Sequence, residues 1–221
     1  MIIELRQDIL VANQRMVSVV KERLAQEKVL MLNIIGSPGS GKTSLLEATL
    51  AGLSERFRVA IIEADVETKR DSERLERFGV PLYHINTGGM CHLESDIILS
   101  SLDRMDLAAT DVVIIENVGN LICPADFDIG EHAKIAVSSV PEGDDKPSKY
   151  PVLFREAEAV VLNKTDLVPY TNFNVESFTT DLRRINGTVP LFELSATGGD
   201  GVQAWLDWLI QRIESSQSDN S

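Results

Sequence analysis

The sequence predicts an α/β fold, a mostly parallel, doubly wound sheet with flanking helices. Three observations carry that prediction. Short apolar, β-branched runs alternate with helix-patterned segments along most of the chain, the pattern of strands joined by helical crossovers. The runs are apolar at consecutive positions, as strands covered on both faces are. Finally, Gly36-Ser37-Pro38-Gly39-Ser40-Gly41-Lys42-Thr43 sits between the first run and the next helix pattern, where the phosphate loop of a P-loop NTPase belongs.

The elements follow in order. Leu5, Ile9, Ala12, Met16, Val20 and Leu24 recur at spacings of four and three, one face of an amphipathic helix of about 20 residues packed on the core. Strands are expected at 29–35, 59–64, 82–85, 111–116, 134–140, 159–164 and 189–194. Helices are expected at 42–53, 70–78, 93–105, 149–157, 174–185 and 201–213. The chain thus divides into an N-terminal helix (1–27), one nucleotide-binding domain (28–213) and a flexible tail (214–221). Ligands of such sheets bind beyond the carboxyl ends of the strands, and the motifs below all fall there.

Composition narrows the function. The chain has 221 residues and a formal net charge of −13, with 34 acidic against 21 basic residues. That balance opposes a general nucleic-acid surface and suits plain solubility. No apolar stretch reaches the length of a membrane span, and MIIELRQDILVANQRM lacks the order of a secretion signal, so the expected address is cytoplasmic. The two cysteines, Cys91 and Cys123, are expected as free thiols or metal ligands.

The glycine-rich turn fits G-x-x-x-x-G-K-S/T. Phosphates are best held by converging backbone N–H groups, and glycines at 36, 39 and 41 allow the close approach and the positive φ this needs. Ser37, Ser40 and Ser44 complete the turn and the first helical turn, whose own N–H groups and dipole favour an anion. Lys42 would neutralise the outer phosphates, and the Thr43 hydroxyl would ligate Mg²⁺.

Asn163-Lys164-Thr165-Asp166 follows the sixth strand. The Asp166 carboxylate can accept from guanine N1–H and the exocyclic amine together. Adenine offers no such pair, and an unpaired partner in a built site discriminates by roughly 10⁴. Ser195 and Ala196, after the next strand, form a second candidate guanine contact. A surface turn is the alternative for each string, but their order after a phosphate loop points to GTP and GDP.

Cys91-His92 and Cys123 fall in two loops at the same sheet rim. Thiolate and imidazole suit Zn²⁺ and Ni²⁺. Inert cysteines are common, and the spacing is not a finger motif. Three ligands are one fewer than a closed tetrahedral site needs, which suggests an open site or one completed across a dimer. His84 and His132 are expected to be structural.

Together these motifs resemble the HypB family of SIMIBI-class P-loop GTPases, which assist nickel insertion into NiFe hydrogenase. The resemblance rests on the phosphate loop, D-V-x-T-x-x-D (Asp65 to Asp71), N-T-G-x-x-C-H-L, E-N-V-G-N-L-x-C-P, E-G-x-D-K-P-x-K-Y-P and N-K-x-D, in that order over about 28–212. It implies that Asp65 and Asp71 lie in a first switch and reach Mg²⁺, its waters or the attacking water. Glu116 and Gly119 lie in a second switch, Glu116 near Mg²⁺. Cys91, His92 and Cys123 are implied as nickel or zinc ligands between the subunits of a GTP-promoted homodimer, and Lys149 as reaching the partner's nucleotide. Implied partners are the nickel accessory protein HypA and the hydrogenase large-subunit precursor.

Two features depart from the family. The N-terminal residues carry no cysteine-rich or histidine-rich stretch, so no separate storage site is expected in this chain. Gly88-Gly89-Met90 stands where a lysine-containing turn is usual, removing a positive charge beside the thiolate. No strong general base or catalytic arginine stands out, which implies slow intrinsic turnover. The alternatives are a GTPase serving another nickel enzyme such as urease, a GTP-switch scaffold carrying no metal, and an ATP-dependent kinase, which NKTD opposes.

Overall fold

The computed structural model describes residues 2–65 and 74–219, with side chains for 13–64 and 74–218. Among the described residues seven strands form one sheet: β1 (Leu30–Gly36), β2 (Val59–Asp65), β3 (Leu82–Asn86), β4 (Val112–Glu116), β5 (Ala133–Ser139), β6 (Ala157–Asn163) and β7 (Leu191–Glu193). Their order is β3-β2-β4-β1-β5-β6-β7, and every pairing is parallel. From the centre the chain winds outward through β2 and β3 on one side and through β6 and β7 on the other, the doubly wound topology the alternating pattern predicts.

The helices are α1 (Ile2–Glu27), α2 (Lys42–Leu53), α3 (Ser95–Leu102), α4 (Cys123–Asp126), α5 (Lys146–Lys149), α6 (Pro151–Glu156), α7 (Val175–Ile185) and α8 (Val202–Asp219). Residues 74–76 are also helical; the rest of the helix expected from position 70 reaches into residues outside those described. The segment read as a fraying tail is helical through Asp219.

Both sheet faces are covered. One face carries α2 and α8, with Leu45, Leu50, Trp205 and Leu209 on Leu32, Ile61, Ile114 and Val161. The other face is divided. Val20, Leu24, Ile98 and Leu102 from α1 and α3 pack on Met31, Ile62 and Ile115. Leu153, Phe154, Phe178 and Leu182 from α6 and α7 pack on Ile35, Ala136 and Leu162. Each such fully buried side chain contributes on the order of 1.5–3 kcal/mol.

The α1 stripe needs one correction. Val20 and Leu24 are buried, but Met16 is 40% exposed and Val17 takes its place. A spacing of four overshoots the helical repeat by about 40° each time, so a line drawn by fours drifts off the packed face. The side chains of Leu5, Ile9 and Ala12 lie outside those described.

Candidate nucleotide and metal site

Because the sheet is parallel, the last residues of β1 (Gly36), β2 (Asp65), β3 (Asn86), β4 (Glu116), β5 (Ser139) and β6 (Asn163) all open onto one rim. The segments that leave them, together with Ser195 and Ala196 after β7, carry the site residues inferred from sequence that fall among the described residues.

Gly36 ends β1, and the loop through Ser37, Gly39 and Ser40 reaches Gly41, which caps α2 with φ 92°. That left-handed conformation favours glycine. A Cβ at position 41 would also stand 2.3 Å from Asn163 Nδ2. Lys42 is buried and folds back, its Nζ 3.4 Å from the carbonyls of Gly36 and Ser37. The Ser40 hydroxyl is buried with no hydrogen-bond partner among the described residues. Ser44, one residue into α2 from Thr43, accepts from Arg74 at 3.0 Å.

The Thr43 hydroxyl donates to Glu116 Oε1 at 2.8 Å, although the two are 73 residues apart. Both are buried. A hydroxyl facing a carboxylate beside a phosphate loop is an oxygen donor set that fits Mg²⁺. Asp65 closes β2 by its backbone, but its side chain, like the whole of Asp71, lies outside the described residues.

The two candidate base-reading strings meet. Asn163 Oδ1 accepts from the amides of Lys164 at 2.7 Å and Ala196 at 3.1 Å, while Asn163 Nδ2 donates to the Ser40 carbonyl at 3.1 Å. Lys164, at φ 60°, reaches over the phosphate loop to the Gly39 carbonyl at 2.6 Å. Ser195 is buried and accepts from the Gly198 amide at 3.1 Å. Asp166 is exposed at the start of the turn that follows. Lys149 projects from α5 and pairs with Asp145 at 2.6 Å; this bond raises the lysine pKa and lowers that of the aspartate.

Cys91, His92 and Cys123 each bring one donor atom to a cluster within 4.8 Å. Cys91 Sγ lies 3.4 Å from His92 Nδ1. His92 stacks on Phe127 with centroids 4.1 Å apart; its Nε2 is buried with no partner among the described residues, and Nδ1 is the nitrogen that faces Cys91. A hydrogen bond with Cys123, and then burial, push the Cys91 thiol above its ordinary range. A divalent cation binds such thiols by displacing their protons. The donor set is soft and fits Ni²⁺ or Zn²⁺.

One loop joins the two halves. From Glu116 the chain passes Gly119, where a Cβ would stand 2.9 Å from the Pro38 nitrogen in the phosphate loop. Asn120 Nδ2 then donates to the Cys91 carbonyl at 3.1 Å, and Cys123 opens α4. Sequence reasoning missed Asn120, Pro38 and Phe127. It also passed over Glu63, which lies beside Glu116 in the β2–β4 register and 2.5 Å from His84. A glutamate inside the apolar run VAIIEA was the available signal. His132 accepts from the Met31 amide at 3.0 Å.

Comparisons with known proteins agree with this arrangement. The nucleotide-binding domain family CobW/HypB/UreG matches residues 30–193. The hydrogenase maturation factor HypB of Escherichia coli K12 is 44% identical over 207 residues, 94% of this chain and 71% of that protein. The hydrogenase/urease maturation factor HypB of Helicobacter pylori is 37% identical over 224 residues, 99% of this chain and 92% of that protein. The crystal structure of Helicobacter pylori HypB in complex with nickel superimposes with a TM-score of 0.87, covering 93% of this chain and 97% of that one. By these matches, and by a phosphate loop joined through one loop to a Cys/His cluster, the chain belongs to the HypB family of P-loop nucleotide-binding proteins.

Proposed function

We propose that the protein is a GTP-hydrolysing metallochaperone that carries nickel at Cys91, His92 and Cys123 and assists nickel insertion into a hydrogenase, working as a GTP-promoted homodimer. The observation that carries this reading is the loop from Glu116 to Cys123, which touches the phosphate loop at one end and the thiol cluster at the other. The names of the Escherichia coli and Helicobacter pylori relatives, and the nickel in the structure of the latter, support it.

The chemistry assigned to the residues is positioning and charge neutralisation. Water attacks the γ-phosphorus, and the bond to the β–γ bridging oxygen breaks to leave GDP and phosphate. Lys42, now folded onto the loop carbonyls, swings to the β- and γ-phosphates, while the loop amides hold the non-bridging oxygens. Thr43 and Glu116, with Asp65 and Asp71 of the first switch, would hold Mg²⁺, which supplies further positive charge at the phosphates. Asp166, Asn163, Ser195 and Ala196 select guanine. With no base assigned to the attacking water, turnover is slow.

The loop gives the cycle its direction. When γ-phosphate arrives, Glu116 and Gly119 shift, and Asn120 passes the shift to Cys91. In the GTP state two clusters face each other across the dimer, supplying the ligands that one chain lacks. Exposed Ile122 and Met90 beside the thiols suit such a contact, and Lys149 reaches the partner's nucleotide. Hydrolysis separates the subunits and loosens the metal for HypA or the hydrogenase precursor. The Helicobacter pylori relative's name supports urease as a second client.

The test compares the wild-type protein with Cys91→Ala and Cys123→Ala. GTP but not ATP should be hydrolysed by all three, whereas only the wild type should bind Ni²⁺ tightly and support hydrogenase maturation. Maturation that survives both substitutions would favour the scaffold reading, and equal use of ATP would overturn guanine selection.

A further inference from the structure

Asn33 is fully buried in the middle of β1, among Met31, Leu32, Ile34 and Ile35. Its neighbours on that face, Met31 and Ile35, belong to the two separate core clusters, so it stands at their boundary. A buried amide there costs about 1–3 kcal/mol if left unpaired, yet the fold needs only an apolar side chain at that point.

Its hydrogen bonds run to both ends of one loop. Asn33 Oδ1 accepts from Asn117 Nδ2 at 3.0 Å, at the point where the loop leaves β4. Asn117 Oδ1 in turn accepts from the Val118 amide at 2.9 Å. Asn33 Nδ2 donates to Glu131 Oε1 at 3.2 Å, and Glu131 Oε2 accepts from the Ile129 amide at 2.8 Å, where the loop returns to β5. Lys134, the register neighbour of Asn33 on β5, donates to the Ala125 carbonyl at 2.7 Å, at the end of α4. Cys123 and Phe127, the ring on which His92 stacks, lie between these anchors.

We propose that Asn33 is a positioning residue for the thiol cluster. Its side chain closes the 117–131 loop into a ring and thereby fixes where Cys123 and the His92–Phe127 stack stand relative to Cys91. This rests on the metal-carrying reading above and extends it to a strand that touches no ligand. Outer groups that orient metal ligands typically change affinity by 10–100-fold when lost. Asn33 is also three residues before Gly36, so the same strand anchors the metal loop and enters the phosphate loop.

The test uses Asn33→Leu, which keeps the site filled but removes both bonds, and Glu131→Gln, which sets an amide donor against one of the two N–H groups. Three readouts apply to the full chain: Co²⁺ affinity with its thiolate charge-transfer spectrum, the rate of capture of phenylarsine oxide, which needs two close thiols, and GTP affinity. We expect Co²⁺ affinity to fall at least ~10-fold with an altered spectrum, arsenical capture to slow about tenfold, and GTP affinity to stay within about threefold. A role in stability alone would lower the melting temperature and leave spectrum and capture rate unchanged. Wild-type spectrum and capture rate in a folded variant overturn the proposal, and if Asn33→Leu does not fold, Glu131→Gln decides. Should the wild-type protein bind no Co²⁺, the metal-carrying reading fails, and the arsenical rates alone decide whether Asn33 places the thiols.

Discussion

Asn120 donates its side-chain amide to the backbone carbonyl of Cys91 at 3.1 Å, tying the loop that follows β4 to the loop that follows β3. Its own Oδ1 accepts from the Ile122 amide at 2.9 Å, one residue before Cys123. A single side chain therefore spans the two thiol-bearing segments, next to the glycine that packs on the phosphate loop.

Asn120→Ala removes this link without touching a nucleotide or metal donor. The expected outcome is near-normal GTP affinity and Ni²⁺ affinity measured separately, with the effect of one on the other reduced by about 0.5–2 kcal/mol. Paired titrations, each ligand with and without the other, check it.

Glu116→Gln keeps the size of the side chain and removes a charge that faces the Thr43 hydroxyl at 2.8 Å. Phosphate release should slow at least ~100-fold, since metal-borne charge stabilisation is worth several kcal/mol. Nucleotide affinity in the absence of Mg²⁺ should change little. A single-turnover assay at increasing Mg²⁺ separates the two effects.

Gly41→Ala forces a side chain into a position at φ 92° and against the Asn163 amide. Strain of about 1–3 kcal/mol predicts a loss of roughly 5- to 150-fold in GTP affinity. Thermal stability should fall too, because the Asn163 bonds to Ser40 and Ala196 are disturbed together. Equilibrium binding of a fluorescent GDP analogue and a melting curve would record both.

Away from the site, hydrogen bonding to Arg58, opposed in part by burial, holds the Asp111 carboxyl below its ordinary range. A carboxylate with a depressed folded pKa contributes stability that is present above its unfolded pKa and lost as pH falls through the folded value. The stability difference between the wild type and Asp111→Asn should therefore be full at neutral pH and shrink below about pH 4. Melting temperatures of both proteins across that range test the sign.

Much of this was legible in the sequence, for identifiable reasons. Strands buried on both faces leave continuous apolar runs, and a phosphate loop, the string Asn163 to Asp166 and a paired Cys-His leave short local patterns. That Lys42, Thr43, Asn163 and Cys91 gather at one rim could be expected from motif and spacing, because each motif ends a strand of a parallel sheet. What could not be read depended on contacts between distant segments. Asn33 and Glu63 stand out as polar residues in apolar strands, but their partners, Asn117, Glu131 and His84, are set by register and by loop return. Pro38 against Gly119, and Phe127 under His92, exist only once two loops share a rim. The Met16 position failed for a local reason, the drift of a four-residue spacing around a helix.

If the loop from Glu116 to Cys123 moves with the nucleotide, each ligand alters the affinity for the other. The most direct measurement is calorimetric titration of Ni²⁺ into the full chain bound to GDP or to a non-hydrolysable GTP analogue, with the reverse titration of each nucleotide into the nickel-loaded chain. Linkage predicts affinities that differ by about 5–150-fold between the nucleotide states, with the same factor in both directions. Identical Ni²⁺ affinities in the two states, at a fixed subunit association state, would contradict it.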